Sequence, residues 1–419
     1  MSESPVAARL RADDLARSPI RTIMELADRD NIPAVGLNPD EVISFAGGWV
    51  NHAAPEAMRR AYEEIARDTA RFHASGAYSP TTGLASLRQA LVRLERERYG
   101  TAGLSVDNVI VGQSSTQLTY CLFTALLDAG DTVLLLDPAY ANYAPQLAVL
   151  SDRIDVRTVP VLDPATFRYF GDSAVRRIEE ALARHRPKLL LFSSPDNPTG
   201  QLVPDDAFDR VIAAAASAGC TVAVDLAYRE QYFSEQRPRH FSASPMHHDN
   251  LVALHSNSKW CRGLGRRLGW AVARPEIIEA LALVQQSVIL CPDTFHQQAL
   301  ARYLDGALED GSLATYLEAS RALYATAARR LSECIEEHLK MSYLSPQGGL
   351  YTVVDVGRDA DAFVREVLRA TGVIFVPGAG FGATLERAVR VSFGPLVHDL
   401  PRMDEGFRRV RAHLGGPSG

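Results

Sequence analysis

The sequence predicts an α/β protein with a large domain built on a mostly parallel sheet and a smaller α+β domain. Short β-rich runs alternate with amphipathic stretches between about residues 55 and 295, as in parallel strands joined by crossover helices. The β-rich runs are NVIVG, DTVLLLD, KLLLFSS, TVAVD and LVALHS. The chain has 419 residues, too many for a single hydrophobic core, so a second domain is expected.

The part of the chain after residue 295 has a different pattern. A long helical stretch runs from HQQALARYLDGALEDG to LSECIEEHLK, and it precedes short strands at LYTVVDV and VRVSFGP and a closing helix at MDEGFRRVRAHL. We therefore expect three regions: an N-terminal arm or lid over residues 1–54 that packs with the small domain, the large domain over 55–295, and the small domain over 296–419.

Composition excludes several classes of protein. The net charge is −6 with both signs spread along the chain, so the sequence offers no basic stripe for nucleic acid. No apolar run reaches 18 residues and the N-terminus has no apolar signal core, so we expect no membrane insertion and a cytoplasmic location. The five cysteines form no CxxC pair, which favours reduced thiols and no bound metal. A small molecule is the expected ligand.

Lysine is rare in this chain. Three of the 44 basic residues are lysines, namely Lys188, Lys259 and Lys340. Where arginine supplies nearly all positive charge, a lysine is a candidate for a role that needs a primary amine. Lys188 opens the strand KLLLF and Lys340 ends an amphipathic helix, so both have structural explanations. Lys259 lies elsewhere and is the candidate.

Several predicted strands end in polar residues, and parallel α/β sheets bind ligands at this edge. NVIVG is followed by QSST, where Ser115 and Thr116 open a helix whose backbone N–H groups could hold a phosphate, although such residues also cap helices generally. Asn197 in PDNPTG follows KLLLFSS, and taken alone it is more simply a turn residue.

Two further strand ends carry charged groups. Asp225 ends TVAVD, with Tyr228 three residues later. A buried carboxylate is costly unless it meets a cation, and a protonated pyridine nitrogen would serve. LVALHS ends at Ser256 and leads into NSKWCRGLGRRLGW, which contains Lys259 and Arg267.

Together these motifs resemble the fold-type I pyridoxal 5′-phosphate (PLP) enzymes, the class I/II aminotransferases. The resemblance rests on DNPTG, DxxY, and SxSK with an arginine eight residues after the lysine. The segments SPIRTIMELADR, VISFAGG, YSPTTG, PQGGLYTVVDV, FVPGAGFG and VRVSF are also similar, nearest to the aminoadipate/kynurenine aminotransferase branch. The similarity spans roughly residues 17–415 and implies PLP as the cofactor and a mostly parallel seven-stranded sheet flanked by helices.

The resemblance also implies catalytic roles for three residues. Lys259 would hold PLP as an internal aldimine and shuttle the α-proton of the substrate. Asp225 would pair with the pyridinium nitrogen and keep it protonated. Tyr228 would donate a hydrogen bond to the phenolic oxygen of the ring, together with Asn197.

The remaining cofactor contacts are implied in the same way. Ser256, Arg267 and the backbone of Ser115 and Thr116 would bind the phosphate. Tyr140, in DPAYANY, occupies the position of an aromatic ring that stacks on the cofactor.

Two more residues connect the resemblance to substrate and partner. Arg390, in VRVSF, would clamp the α-carboxylate of the substrate beside Asn197, because a planar guanidinium matches two oxygens. Tyr78, in AYSPTTG, matches a tyrosine that reaches the cofactor phosphate of the partner subunit. We therefore expect a homodimer with shared active sites.

The chain departs from the family pattern in two places. GGWVNHAAP stands where relatives carry GGLP-like sequence, which places Trp49, Val50 and His52 beside the expected substrate pocket. Gly48 and Trp49 are the expected substrate contacts in this segment. Asp293, in CPDTFHQ, either receives a cationic substrate group or is an ordinary helix N-cap.

The leading hypothesis is transfer of an amino group from an L-amino acid to a 2-oxo acid. A second hypothesis keeps PLP but changes the outcome to elimination, replacement, cyclisation, decarboxylation or oxidation. A third, a PLP-binding transcription regulator or degenerate scaffold, is disfavoured because Lys259, Asp225 and Arg390 are all present.

Overall fold

The computed structural model describes Glu25 and residues 28–415. Most of the SPIRTIMELADR segment and of the predicted N-terminal arm up to residue 27 lies outside the described residues. The α-helices are α1 (Glu56–Arg67), α2 (Thr69–Ser75), α3 (Ala85–Tyr99), α4 (Ser114–Leu126), α5 (Tyr143–Leu150), α6 (Asp172–His185), α7 (Asp205–Ser217), α8 (Pro275–Val288), α9 (Thr294–Glu309), α10 (Ser312–Cys334), α11 (Ala360–Thr371) and α12 (Leu400–His413). The strands are β1 (Ile43–Ser44), β2 (Val109–Gly112), β3 (Thr132–Asp137), β4 (Asp155–Pro160), β5 (Leu162–Asp163), β6 (Arg168–Tyr169), β7 (Leu189–Ser193), β8 (Thr221–Asp225), β9 (Leu251–Ser256), β10 (Gly269–Val272), β11 (Tyr351–Asp355), β12 (Val373–Ile374), β13 (Val376–Pro377) and β14 (Ala388–Ser392).

The central sheet has seven strands in the order β2-β10-β9-β8-β7-β3-β4. Neighbours from β9 to β4 pair in parallel, and β10 runs antiparallel to both β2 and β9. This confirms the predicted α/β fold with a mostly parallel seven-stranded sheet.

The apolar strand sequences follow from burial of the sheet on both faces. In β3, Leu134 and Leu136 belong to one hydrophobic cluster, whereas Val133 and Leu135 belong to another on the opposite face. Because helices cover both faces, successive residues of a central strand are all buried, and a continuous apolar run replaces the alternation of a half-exposed strand.

A second hydrophobic core holds the short sheet β11-β14-β13, the pair β1-β12 and the helices α11 and α12. Helix α10 contributes to both cores: Leu313 and Leu317 pack in the first, and Tyr324 and Leu331 pack in the second. The domain limits predicted at residues 54 and 295 stay predictions. From these clusters we propose that the change between the two domains falls within α10. No helix of the described residues is long and apolar enough to cross a bilayer.

The topology gathers polar strand ends at one edge of the sheet. Ser193, Asp225 and Ser256 are the last residues of β7, β8 and β9, and Ser193 pairs with Asp225 across the ladder. These three strands are parallel neighbours, so their terminal side chains lie side by side at the carboxyl edge.

Candidate active site

A cleft of about 680 Å³ lies at the carboxyl edge of the sheet, between the sheet and the second core. Most of the residues singled out from the sequence line it. They are Gly48, Ser115, Thr116, Tyr140, Asn197, Asp225, Tyr228, Ser256, Lys259, Arg267 and Arg390. Trp49 and Tyr78 are not among its lining residues.

The Lys259 amine is buried in this cleft. It follows β9, and its Nζ donates a hydrogen bond to the carbonyl oxygen of Gly48 at 2.6 Å. It lies 5.4 Å from the ring centroid of Tyr228. Burial lowers the pKa of Lys259 below its usual value, because desolvation penalises the ammonium form. A larger neutral fraction makes this amine a better nucleophile and base.

Asp225 presents a buried carboxylate whose close hydrogen-bond donors are uncharged. Its Oδ2 accepts from the Tyr143 hydroxyl at 3.1 Å and its Oδ1 from the Ala227 backbone N–H at 2.9 Å. Burial raises the pKa of Asp225 to about 6, and these two donors oppose that shift. A cationic ligand nitrogen in the cleft would offset the remaining cost of ionising it.

Arg390 brings a guanidinium to the cleft from a strand of the second core. It lies on β14 at 5% exposure and donates to Asn197 Oδ1 at 3.1 Å and to the carbonyl of Ala46 at 2.8 Å. Its central carbon lies 4.4 Å from the Tyr351 ring and 4.9 Å from the Phe381 ring. Its Nε–H has no hydrogen-bond partner among the described residues. A buried guanidinium with a free donor suits an anionic group such as a carboxylate.

The FAGG segment supplies three successive carbonyl acceptors. The carbonyls of Ala46, Gly47 and Gly48 accept from Arg390, Ser392 and Lys259, respectively. A Cβ at Gly48 would lie 2.8 Å from the Tyr351 hydroxyl oxygen, so glycine permits this close approach. The segment therefore ties two cationic side chains of the cleft, Arg390 and Lys259, to one stretch of backbone.

The start of α4 also lines the cleft, and its chemistry suits a phosphate. No side chain caps this helix, so its first N–H groups remain available to an anion. Arg267 Nη2 donates to Ser114 Oγ at 2.6 Å, which places a guanidinium beside those groups. Gly269 lets β10 pass close, since a Cβ there would lie 2.7 Å from the Ser115 nitrogen. Ser256 Oγ, nearby, donates to Ser258 Oγ at 2.8 Å.

Several residues singled out from the sequence lie away from the cleft lining, including Trp49, His52, Tyr78 and Asp293. Trp49 is 43% exposed and its ring covers Gly47. Tyr78 is 84% exposed. Asp293 precedes α9 and its Oδ1 accepts the His296 backbone N–H at 2.7 Å, which is the helix-cap interpretation of that residue.

Sequence reasoning missed two tyrosines of the cleft. Tyr143 bonds Asp225, and its only signal is its place three residues after Tyr140, with which it makes an edge-on contact at 5.3 Å. Tyr351 shares a 2.8 Å hydrogen bond between hydroxyls with Tyr228, 123 residues earlier, and burial raises the pKa of Tyr228 well above its usual value. No local pattern joins residues so far apart.

Comparison with known proteins identifies the family of this chain. The model of the family "Aminotransferase class I and II" matches residues 40–404. The 2-aminoadipate transaminase of Thermus thermophilus is 30% identical over 421 residues, which cover 97% of this chain and 96% of the relative. The aspartate/prephenate aminotransferase of Thermus thermophilus is 28% identical over 341 residues, covering 80% and 83%. The solved aspartate aminotransferase from Thermus thermophilus with maleate superimposes with a TM-score of 0.83 at 24% identity, covering 97% of this chain and all of that one.

These similarities confirm the aminotransferase interpretation and do not favour the alternative PLP reactions. The family implies PLP as the cofactor. The amine, the buried carboxylate and the start of α4, whose chemistry suits a phosphate, are consistent with that cofactor. The chain therefore belongs to the class I and II aminotransferases, which are PLP-dependent transferases.

Proposed function

We propose that this protein transfers the amino group of an L-amino acid to a 2-oxo acid, with PLP held on Lys259 in the cleft. One observation carries the proposal: a single cavity joins a buried lysine amine of lowered pKa, a buried carboxylate of raised pKa, and a buried arginine with a free N–H. These are the groups needed to bind a cationic heterocycle, to move a proton and to bind a carboxylate.

The phosphate of PLP would be bound at the start of α4. The backbone N–H groups of Ser115 and Thr116, the Ser256 hydroxyl and the Arg267 guanidinium would surround it. Support comes from the uncapped helix start and from the Arg267 contact with Ser114.

The ring of PLP would lie between the phosphate cradle and Asp225. Asp225 would pair with the ring nitrogen, Tyr228 and Asn197 would meet the ring oxygen, and Tyr140 would stack on one face. Burial of Asp225 supports this role, because a cation there lowers the cost of its ionisation. When bound, PLP supplies an electron-withdrawing ring that makes the α-proton of an amino acid acidic.

The protein would orient the substrate and move its proton. Arg390 would bind the α-carboxylate beside Asn197, and Gly48 would border the substrate. The neutral Lys259 amine would then take the α-proton and return it at the neighbouring carbon. Its lowered pKa increases the fraction of the amine in that neutral form.

The proposal includes a homodimer in which Tyr78 reaches the partner's cofactor phosphate. Tyr78 is 84% exposed. The next residue, Ser79, is anchored by Gln297, whose side-chain amide donates to Ser79 Oγ at 3.1 Å. Phe72, Val288 and Leu290 are further exposed apolar side chains. A partner surface would cover such groups. A cytoplasmic location remains a prediction from the sequence.

The half-reaction tests the proposed function. Holoprotein is titrated with individual L-amino acids, including arginine and lysine, and the visible absorbance of the cofactor is recorded. We expect conversion to the pyridoxamine form and recovery of the original spectrum with a 2-oxo acid. A Lys259→Ala variant should lack both changes, and Lys340→Ala is the matched control. Product formation with the cofactor returned unchanged would contradict transamination.

A further inference from the structure

The NHAAP segment contains a buried histidine that does not line the cleft. His52 is 4% exposed, and its two ring nitrogens contact groups from different parts of the chain. Nε2 lies 3.1 Å from the carbonyl oxygen of Trp260, the residue after Lys259. Nδ1 lies 3.0 Å from the Tyr324 hydroxyl on α10.

These partners determine the protonation of the ring. A carbonyl oxygen only accepts, so Nε2 carries the proton and donates to Trp260. Nδ1 is then an acceptor and receives the hydroxyl proton of Tyr324, whose oxygen accepts the Asn51 backbone N–H at 3.0 Å. Every member of this chain of hydrogen bonds is satisfied when His52 is neutral.

The turn that contains Lys259, from Ser258 to Arg262, makes a second bond to His52. Arg262 Nη1 donates to the carbonyl oxygen of His52 at 2.8 Å. Residues 260 and 262 are therefore both tied to residue 52, the first through its ring and the second through its backbone carbonyl. Four residues before His52, the Gly48 carbonyl accepts from Lys259.

We propose that His52 is a positioning residue that holds the Lys259 turn against the FAGG segment, through the bond from its ring to the Trp260 carbonyl and the bond from Arg262 to its backbone carbonyl. These contacts fix where the Lys259 amine lies relative to the Gly48 carbonyl and the cleft. The His52 ring makes no hydrogen bond to the Lys259 amine or to the Gly48 carbonyl. The inference rests on the proposed function only in taking Lys259 as the reactive lysine.

The surroundings of His52 favour its neutral form. Burial lowers the pKa of His52, the bond to Trp260 opposes the shift, and electrostatic interaction with Arg262 and His398 lowers the pKa further. The rings of Tyr316 and Tyr324 pack against it at 6.0 and 5.4 Å, and they bring no negative charge at neutral pH. Protonation would place a second donor against the Tyr324 hydroxyl. The positioning should therefore be intact at neutral and alkaline pH.

The test uses the reactivity of Lys259 in the full-length chain freed of PLP. The three lysines are acetylated with a small reagent over a range of pH, and mass spectrometry gives the rate at each. The midpoint of the Lys259 profile reports the pKa of its amine. Burial is the main cause of its lowered pKa, so a loosened turn should raise the midpoint.

Two substitutions of His52 test whether the bond made by Nε2 is the one that positions the turn. His52→Gln places an amide N–H near Nε2 and can keep the Trp260 bond, whereas His52→Asn is too short to reach it. We expect the midpoint to rise by about one pH unit in His52→Asn and to stay near wild type in His52→Gln. In holoprotein, His52→Asn should lower kcat about tenfold with little change in KM. His248→Asn, in the turn before β9, is the matched control.

Equal midpoints in wild type and folded His52→Asn would overturn the proposal, as would equal shifts in the Asn and Gln variants. Arg262→Gln removes the return bond without disturbing a buried ring, so it tests the proposal even if His52→Asn unfolds. A raised midpoint in Arg262→Gln supports the positioning role, and an unchanged one refutes it. Because acetylation needs no turnover, failure of the amino-transfer reaction would leave this result interpretable.

Discussion

Replacement of Asp225 by asparagine should stabilise the PLP-free chain. Burial raises the pKa of Asp225 from 3.8 to about 6. One pKa unit corresponds to about 1.4 kcal/mol, so ionising this carboxyl costs about 3 kcal/mol more in the folded than in the unfolded chain. Asp225 is only 6% exposed, so solvent screens this cost little.

The sign of the pH dependence follows from the direction of the shift. A carboxyl with a raised pKa stabilises the folded chain while it is protonated. This contribution is fully present below pH 3.8 and is lost as the pH rises through about 6. Asparagine is neutral throughout, so Asp225→Asn should gain about 3 kcal/mol over wild type at pH 8 and roughly half of that at pH 5.

Urea unfolding of the PLP-free chain at the two pH values measures this gain. Asp249→Asn, an exposed loop substitution, is the control and should show no pH-dependent gain. The same Asp225→Asn variant should bind PLP more weakly, because an amide offers no charge to a pyridinium nitrogen. A variant that is less stable than wild type at pH 8, or equally stabilised at both pH values, would refute the reasoning.

Three other substitutions test the remaining contacts. Tyr143→Phe removes a donor to Asp225, so it should raise the pKa of that carboxyl and weaken PLP binding about tenfold in a titration of PLP-free protein; unchanged binding would contradict this role. Arg390→Lys should lower kcat/KM for amino acids roughly 100-fold while leaving the cofactor spectrum intact, because an ammonium cannot bind two carboxylate oxygens at once. An unchanged kcat/KM in steady-state kinetics would contradict the role of Arg390 in substrate binding. Glu95→Gln leaves the Arg229 guanidinium, now paired at 2.6 Å and buried, without its counter-charge, so urea unfolding should show a loss of about 3–5 kcal/mol; a loss under 1 kcal/mol would mean that the pair is replaceable.

Residues at strand ends could be identified from the sequence because the strands themselves could. A run such as TVAVD predicts a buried strand, and the polar residue that ends the strand must lie at the carboxyl edge of the sheet. Asp225 and Ser256 are found at that edge. The resemblance to a known family then gave expectations for Arg267 and Arg390, which lie on the same cleft.

Contacts between distant segments could not be predicted. Tyr143 and Asp225 are 82 residues apart, and His52 and Trp260 are 208 apart. Such pairs depend on how distant segments of the chain pack together, which no local spacing encodes. His52 was expected beside the substrate pocket from its neighbourhood to FAGG, but its ring turns into the interior and bonds the lysine turn instead.

Locating the cofactor on the chain tests the central claim most directly. Holoprotein is reduced with borohydride, digested and mapped by mass spectrometry. We predict a phosphopyridoxyl group on Lys259 and none on Lys188 or Lys340. Incubation with a reactive L-amino acid before reduction should abolish the modification, because the cofactor then carries the amino group itself, and a 2-oxo acid should restore it. Modification of either other lysine, or none at all, would contradict the assignment of Lys259.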